Sequence, residues 1–125
     1  MSLGSFGQAL DCFARGRPLL PGADASCRFE VVGGGYLGII LLAGRPMAQP
    51  VEPEAASFTL LAPVEQLAAY LCGRTRLAPF VRFGQVTGDL VALSAVTGTF
   101  ETASWHALAA SIDPAEVADL LRTSP

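Results

Sequence analysis

The segment Pro63 to Gly73, PVEQLAAYLCG, restricts the fold more than any other stretch, because it reads as a short helix set between strand-like sequences. Proline is favoured at the first helical position, where its missing N–H has no intrahelical partner to lose. Glu65 follows in the first turn, where a carboxylate complements the helix dipole. Val64, Leu67, Ala68, Leu71 and Cys72 recur at helical spacing and form one apolar stripe. Gly73 supplies the left-handed residue that closes such a helix.

Upstream, Phe6, Leu10 and Phe13, with Ala9 beside them, predict an amphipathic helix from Leu3 to Arg15, ended by Gly16 ahead of Pro18. Residues 17–25, RPLLPGADA, carry two prolines and a glycine and are expected as loop. Ser26 to Val32 alternates Cys27, Phe29 and Val31 against Arg28 and Glu30, the pattern of a half-buried strand. Three glycines, Gly33 to Gly35, then predict a turn into a second strand, Tyr36 to Leu42, apolar on both faces. Gly44-Arg45-Pro46 is expected to end it, Met47 to Ala55 to form an exposed connection, and Ser57 to Leu61 to be a third strand.

Downstream of Gly73, Phe80, Val81 and Phe83 predict a fourth strand and Leu90 to Val96 a fifth, with a hairpin turn at residues 85–89, QVTGD. Trp105, Leu108, Ala109 and Ile112 repeat as one helical face. A last helix, Pro114 to Thr123, has Asp113 as its N-cap and Glu116 as the reciprocal partner of a capping box. Val117, Leu120 and Leu121 form its buried side. The predicted order is α-β-β-β-α-β-β-α. Short connections favour antiparallel pairing, so the expected class is α+β, one domain over residues 1–125 with an antiparallel sheet of about five strands and helices packed on it.

Composition narrows the partners. Hydrophobic residues make up 51% of the 125 and charged residues 15%, below the ~25% usual in soluble domains. Such a chain has little polar surface, so a partner covering part of the apolar surface is expected. The net charge is −3, and all eight basic residues are arginines scattered singly, which argues against nucleic acid as a partner. Cys12, Cys27 and Cys72 are isolated, and with one histidine, His106, they complete no zinc set. They read as small buried hydrophobes in a reducing compartment. With no basic region leading a long apolar run, neither a signal peptide nor membrane insertion is expected, and a cytoplasmic location follows.

No motif carries a chemistry. Gly33, Gly35 and Gly38 fit G-x-G-x-x-G, but the sequence after them reads as strand where a dinucleotide site needs a helix. A hairpin turn explains them better. Ser104, Trp105 and His106 on one helix point in three directions, so no triad is expected from them with Glu101. Cys72 lies on the apolar stripe, where burial makes a thiol inert. Glu52 and Glu54 belong to a proline-rich loop, and Asp113 with Glu116 to a cap. No catalytic residue, metal or cofactor is expected.

In element order, length and acidic balance, the chain resembles the class I chaperones of type III secretion, and its C-terminal half resembles the YbjN type about as well. The resemblance is one of topology over nearly the whole chain. It implies a non-enzymatic homodimer that holds an extended segment of a partner protein, such as a secreted effector, partly by strand addition. Carried onto this sequence, it implies that Phe6, Leu10, Phe13, Phe29, Tyr36 and Ile40 meet the partner and that Val64, Leu67, Ala68 and Leu71 form the dimer interface. Two alternatives stand beside it. One is a small ligand-binding domain or enzyme with a pocket between sheet and helices, lined by Trp105, Tyr36 and His106. The other is a dimeric regulatory scaffold of the roadblock type.

Overall fold

The computed structural model describes residues 4–77 and 85–123, and the fold is α+β. Its elements are α1 (Gly4–Gly16), β1 (Ala25–Val31), β2 (Tyr36–Leu42), β3 (Arg45–Ala48), β4 (Phe58–Ala62), α2 (Val64–Leu71), β5 (Gln85–Gly88), α3 (Leu90–Phe100), α4 (Ala103–Ala109) and α5 (Pro114–Thr123). A single 3-10 turn, Pro53–Ala55, precedes β4.

The five strands lie in the order β3-β2-β1-β4-β5. Three neighbouring pairs are antiparallel, as expected, but β1 and β4 run parallel, Phe29 opposite Leu60. The sheet is therefore mixed. The reason is the connection from β3, which carries the chain back across the sheet instead of turning it in a hairpin. Val51 on that connection is buried, and Ser57 donates its N–H to the Ser26 carbonyl at 2.6 Å. This returns the chain to the starting end of β1.

Gly38 makes the crossing possible. Gln49 donates to its carbonyl at 3.1 Å, and a side chain at position 38 would collide with the Gln49 carbonyl oxygen. On the same face Arg28 lies 3.8 Å over the Tyr36 ring, pairs with Glu30 at 2.8 Å and donates to the Val51 carbonyl. The crossing is thereby tied down by an arginine that a cation–π contact and an ion pair hold in place on the sheet.

The opposite face meets the helices. Ala25, Cys27, Phe29 and Val31 of β1 point into the core with Leu37, Ile39 and Leu41 of β2 and Phe58, Leu60 and Ala62 of β4. Trp105 of α4 is fully buried among them, edge-on to Phe6 (5.9 Å), Phe13 (5.7 Å) and Phe100 (5.2 Å), with its indole N–H donated to the Leu71 carbonyl at 3.0 Å. Edge-to-face rings at such separations add about 0.5–1.5 kcal/mol beyond burial.

Three expectations change, and a fourth lies outside the described residues. Residues 45–48 form strand β3 although Pro46 lies within it, because β3 is the sheet edge, where a missing N–H is tolerated. The expected turn at 85–89 contributes β5, paired along β4. Leu90 to Val96 is helical, not a strand. Asp89 caps α3 by accepting from the Val91 N–H at 2.9 Å, and Ala92, Val96 and Phe100 bury one helical face. A short apolar run has no period that separates strand from buried helix, and here the cap decides. The expected strand through Phe80, Val81 and Phe83 lies outside the described residues.

Asp113 caps α5 as expected, accepting from the Ala115 N–H at 3.0 Å. Glu116 does not close the box. Its carboxylate accepts from the Ser5 N–H at 3.2 Å, serving a first-turn donor of α1 that an intrahelical carbonyl does not reach. The glycines at 33–35 form the hairpin turn between β1 and β2, all with positive φ.

Candidate functional site

The residues expected to meet a protein partner are largely spent inside the chain. Phe6, Leu10, Phe13 and Phe29 are buried in the core. Tyr36 and Ile40 are half-buried on the outer sheet face, where Tyr36 is engaged by Arg28. Val64, Leu67, Ala68 and Leu71, expected at a dimer seam, are also buried within the chain, with α5 packed on α2. The stripe on α2 reads as an interface from sequence because an intramolecular helix and a second protomer demand the same spacing.

His106 and the two inner cysteines sit in structural surroundings. His106 Nε2 lies 3.1 Å from the Phe100 carbonyl, to which it donates. Burial pushes the Cys27 thiol up to about 12 and the Cys72 thiol up to about 11, in the second case against the lowering influence of Arg74. Both thiols are neutral and unreactive near neutrality. Burial, helped by the Glu101 carboxylate, also raises the Tyr70 hydroxyl. Among the described residues, no cluster of three or more His, Cys, Asp or Glu has the geometry to hold a metal ion.

Arg74 explains why α2 and α4 end as they do. Its guanidinium donates to the carbonyls of Cys72 (2.6 Å), Ala109 (3.2 Å), Ala110 (3.0 Å) and Ile112 (2.9 Å). One cation thus serves the terminal carbonyls of two helices, where a positive charge is favoured by the helix dipole. This cluster is a clasp.

A cavity of about 360 Å³ opens between α1, the loop after it and α4. Cys12, Phe13 and Gly16 contribute from α1, Arg17, Pro18 and Leu20 from the loop, and Ser104 and Leu108 from α4. The walls are mainly apolar, with a volume inside the ~300–1,000 Å³ typical of small-molecule sites. Arg17 is its charged group. It lies 5.0 Å over the Phe13 ring and donates from Nη2 to the Gly98 carbonyl at 3.0 Å, while its buried Nε has no hydrogen-bond partner among the described residues. A buried donor without an acceptor is costly, and Gln66 Oε1 and Glu116 Oε2 are buried without a partner in the same way.

Of the residues expected to line a pocket, none lines this cavity, but Tyr36 lines another of about 770 Å³ on the outer sheet face, together with Arg28, Glu30 and Pro50. Trp105 is in the core, Tyr36 is on the other side of the sheet, and His106 is bound to Phe100. Phe13 is the one predicted site residue that reaches the cavity, and it does so as part of its wall. Cys12, Arg17, Leu20 and Leu108 were missed. The available signal was Arg17-Pro18-Leu19-Leu20-Pro21, an apolar pair between prolines that a plain surface loop does not need.

No protein-family model matches the chain, and no curated protein matches it significantly. Solved structures share its fold. It superposes on UbiJ-SCP2, described as a ubiquinone synthesis protein, with a TM-score of 0.59 and 19% identity, over 79% of this chain and 92% of that one. Against palmitated SCP2L2 from Aedes aegypti the TM-score is 0.53 at 10% identity, over 82% and 96%. Against the sec-alkylsulfatase Pisa1 from Pseudomonas sp. it is 0.50 at 16% identity, covering 62% of this chain and 13% of the sulfatase, so the chain spans only a small part of that enzyme. None of these three is described as a secretion chaperone or a roadblock module. At such identities the likeness is one of fold: this chain has the α+β architecture of SCP2-type domains.

Proposed function

We propose that the protein is a non-enzymatic carrier of a single-chain amphipathic lipid, with the apolar chain in the cavity between α1 and α4 and an anionic or acceptor head at Arg17. The observation that carries this reading is the mainly apolar cavity with a single charged residue, Arg17, in its lining. An apolar wall alone would suit any greasy molecule. A guanidinium in the lining selects one with an acceptor at its end, because charge-assisted hydrogen bonds are the strong ones. The SCP2-type fold and the palmitated state of one solved neighbour support the same direction. The holder of an extended protein segment is less well supported, since four of the six side chains assigned to it are core.

Cys12 provides the test. It is the exposed cysteine, it lines the cavity, and Cys27 and Cys72 are buried. Palmitate added to the folded protein is expected to slow alkylation of Cys12 while the other two thiols stay unreactive. Arg17→Met is expected to weaken palmitate roughly tenfold, the loss of one charge-assisted bond of about 1.5 kcal/mol or more. Unchanged Cys12 alkylation at saturating palmitate would overturn the reading. Co-purification of a peptide in place of lipid would restore the protein-holding alternative.

A further inference from the structure

The cavity opens beside an unusual tip of the molecule. Residues 17–24 are fastened to the β2–β3 turn. Leu20 donates its N–H to the Ala43 carbonyl at 2.8 Å, Gly44 donates to the Ala23 carbonyl at 2.9 Å, and Arg45 Nε donates to the Arg17 carbonyl at 3.0 Å. Asp24 accepts from the Ala43 N–H at 2.6 Å. The loop is therefore braced along its length, and the side chains it presents are held outward by a fixed backbone.

Apolar side chains are exposed on this loop and on the adjoining ends of β2 and β3. Leu19 is 61% exposed, Leu20 39%, Leu42 53% and Met47 43%, four of the seven large hydrophobic residues exposed among the described residues. A soluble surface usually carries such residues singly, and a cluster marks an interaction site. Charge sets this tip apart as well. Residues 15–24 and 42–48 hold three of the chain's eight arginines, Arg15, Arg17 and Arg45, and one of its eleven carboxylates, Asp24. The protein as a whole is acidic at −3.

We infer that this tip docks on the surface of an anionic lipid bilayer, with Leu19, Leu20, Leu42 and Met47 entering the headgroup boundary and Arg15 and Arg45 meeting lipid phosphates. Apolar side chains ringed by cations are the combination that favours an anionic interface over water or a neutral bilayer. Leu20 belongs to both the tip and the cavity wall, so docking places the cavity mouth at the membrane. No described helix is long and apolar enough to cross a membrane, and the contact is peripheral. The inference extends the carrier reading, and of the docking side chains only Leu20 lines the cavity.

Co-sedimentation with vesicles tests it. The protein is expected to bind phosphatidylcholine vesicles containing about one-third phosphatidylglycerol and to be released by salt, as the screening length falls from ~10 Å at 0.1 M to ~3 Å at 1 M. Leu19→Glu with Leu42→Glu is expected to reduce binding at least roughly tenfold. Neither position lines the cavity, so Cys12 protection by palmitate in vesicle-free buffer should persist and keep the two readings separable. The control is Leu90→Glu with Val91→Glu, an equally apolar pair exposed at the start of α3. Equal loss in the control, equal binding to neutral vesicles, or no binding would overturn the inference. So would a dimer that the Leu19/Leu42 pair of changes dissolves, since a second copy would then be the occupant of the patch.

Discussion

The two ends of α1 meet opposite kinds of surroundings. Phe6, near the start, presses edge-on against Trp105, in an interior where Trp105, Phe29, Phe58 and Phe100 are essentially inaccessible, and Phe13 meets Trp105 on one side and the cavity on the other. One turn further on, Gly16 and the loop after it border an open cavity with an unpaired arginine nitrogen. In the filled region the indole N–H is bound to Leu71 and the helix-end carbonyls to Arg74, while the acceptors Gln66 Oε1 and Glu116 Oε2 are buried without a partner among the described residues. The open region leaves a donor unanswered. Stability is concentrated where packing is complete, and the capacity to bind lies where it is not, on a wall held still by the packed side.

The largest effect should come from the centre of the filled region. Trp105→Ala is expected to cost about 3–5 kcal/mol, the range for deleting a buried aromatic residue, read as a fall in the urea midpoint. A loss below about 1 kcal/mol would mean that the interior is not packed around this ring. Next is the clasp. Arg74→Ala should cost about 1.5–3 kcal/mol, the scale of hydrogen bonds made by a charged donor, while palmitate protection of Cys12 persists. An unchanged unfolding midpoint would show the four carbonyls to be equally well served by water.

The thiols sharpen the contrast through pH. Cys27 and Cys72 ionise near 12 and 11 in the folded chain against 9.0 when exposed. Above pH 9 the unfolded chain loses these protons first, so stability is complete below pH 9 and declines as pH rises. The slope reaches up to about 1.4 kcal/mol per pH unit for each thiol. Denaturation midpoints measured from pH 8 to 11 should fall, and replacing both residues by Ala should flatten the part of the decline that these thiols cause. The raised Tyr70 hydroxyl adds a decline in the same direction.

Much of the fold was readable from local pattern. Pro63 and Gly73 bracketed α2, Asp113 opened α5, the alternation at Cys27, Phe29 and Val31 marked β1, and the triple glycine marked its hairpin. Each signal is local: a cap, a turn or a period shows itself within a few residues. Leu90 to Val96 misled because its apolar run has no decisive period, and Asp89 outweighed its β-branched residues. The parallel pairing of β1 with β4 was not legible, since it depends on the path of residues 49–57 across Gly38.

The candidate site was least legible of all. Phe13 was visible as an apolar residue, but sequence alone could not distinguish core, groove and cavity wall, because all three ask for the same side chain. Arg17 looked like one isolated charge in a loop. Only the meeting of α1, that loop and α4 buries its Nε beside apolar walls, and only the hydrogen bonds from Leu20, Gly44 and Arg45 fix the loop against the β2–β3 turn. The sequence by itself determined which segments could be helix, strand or turn and which side chains needed burial. The tertiary structure decided what each buried face lies against, because that depends on contacts between residues far apart in the chain.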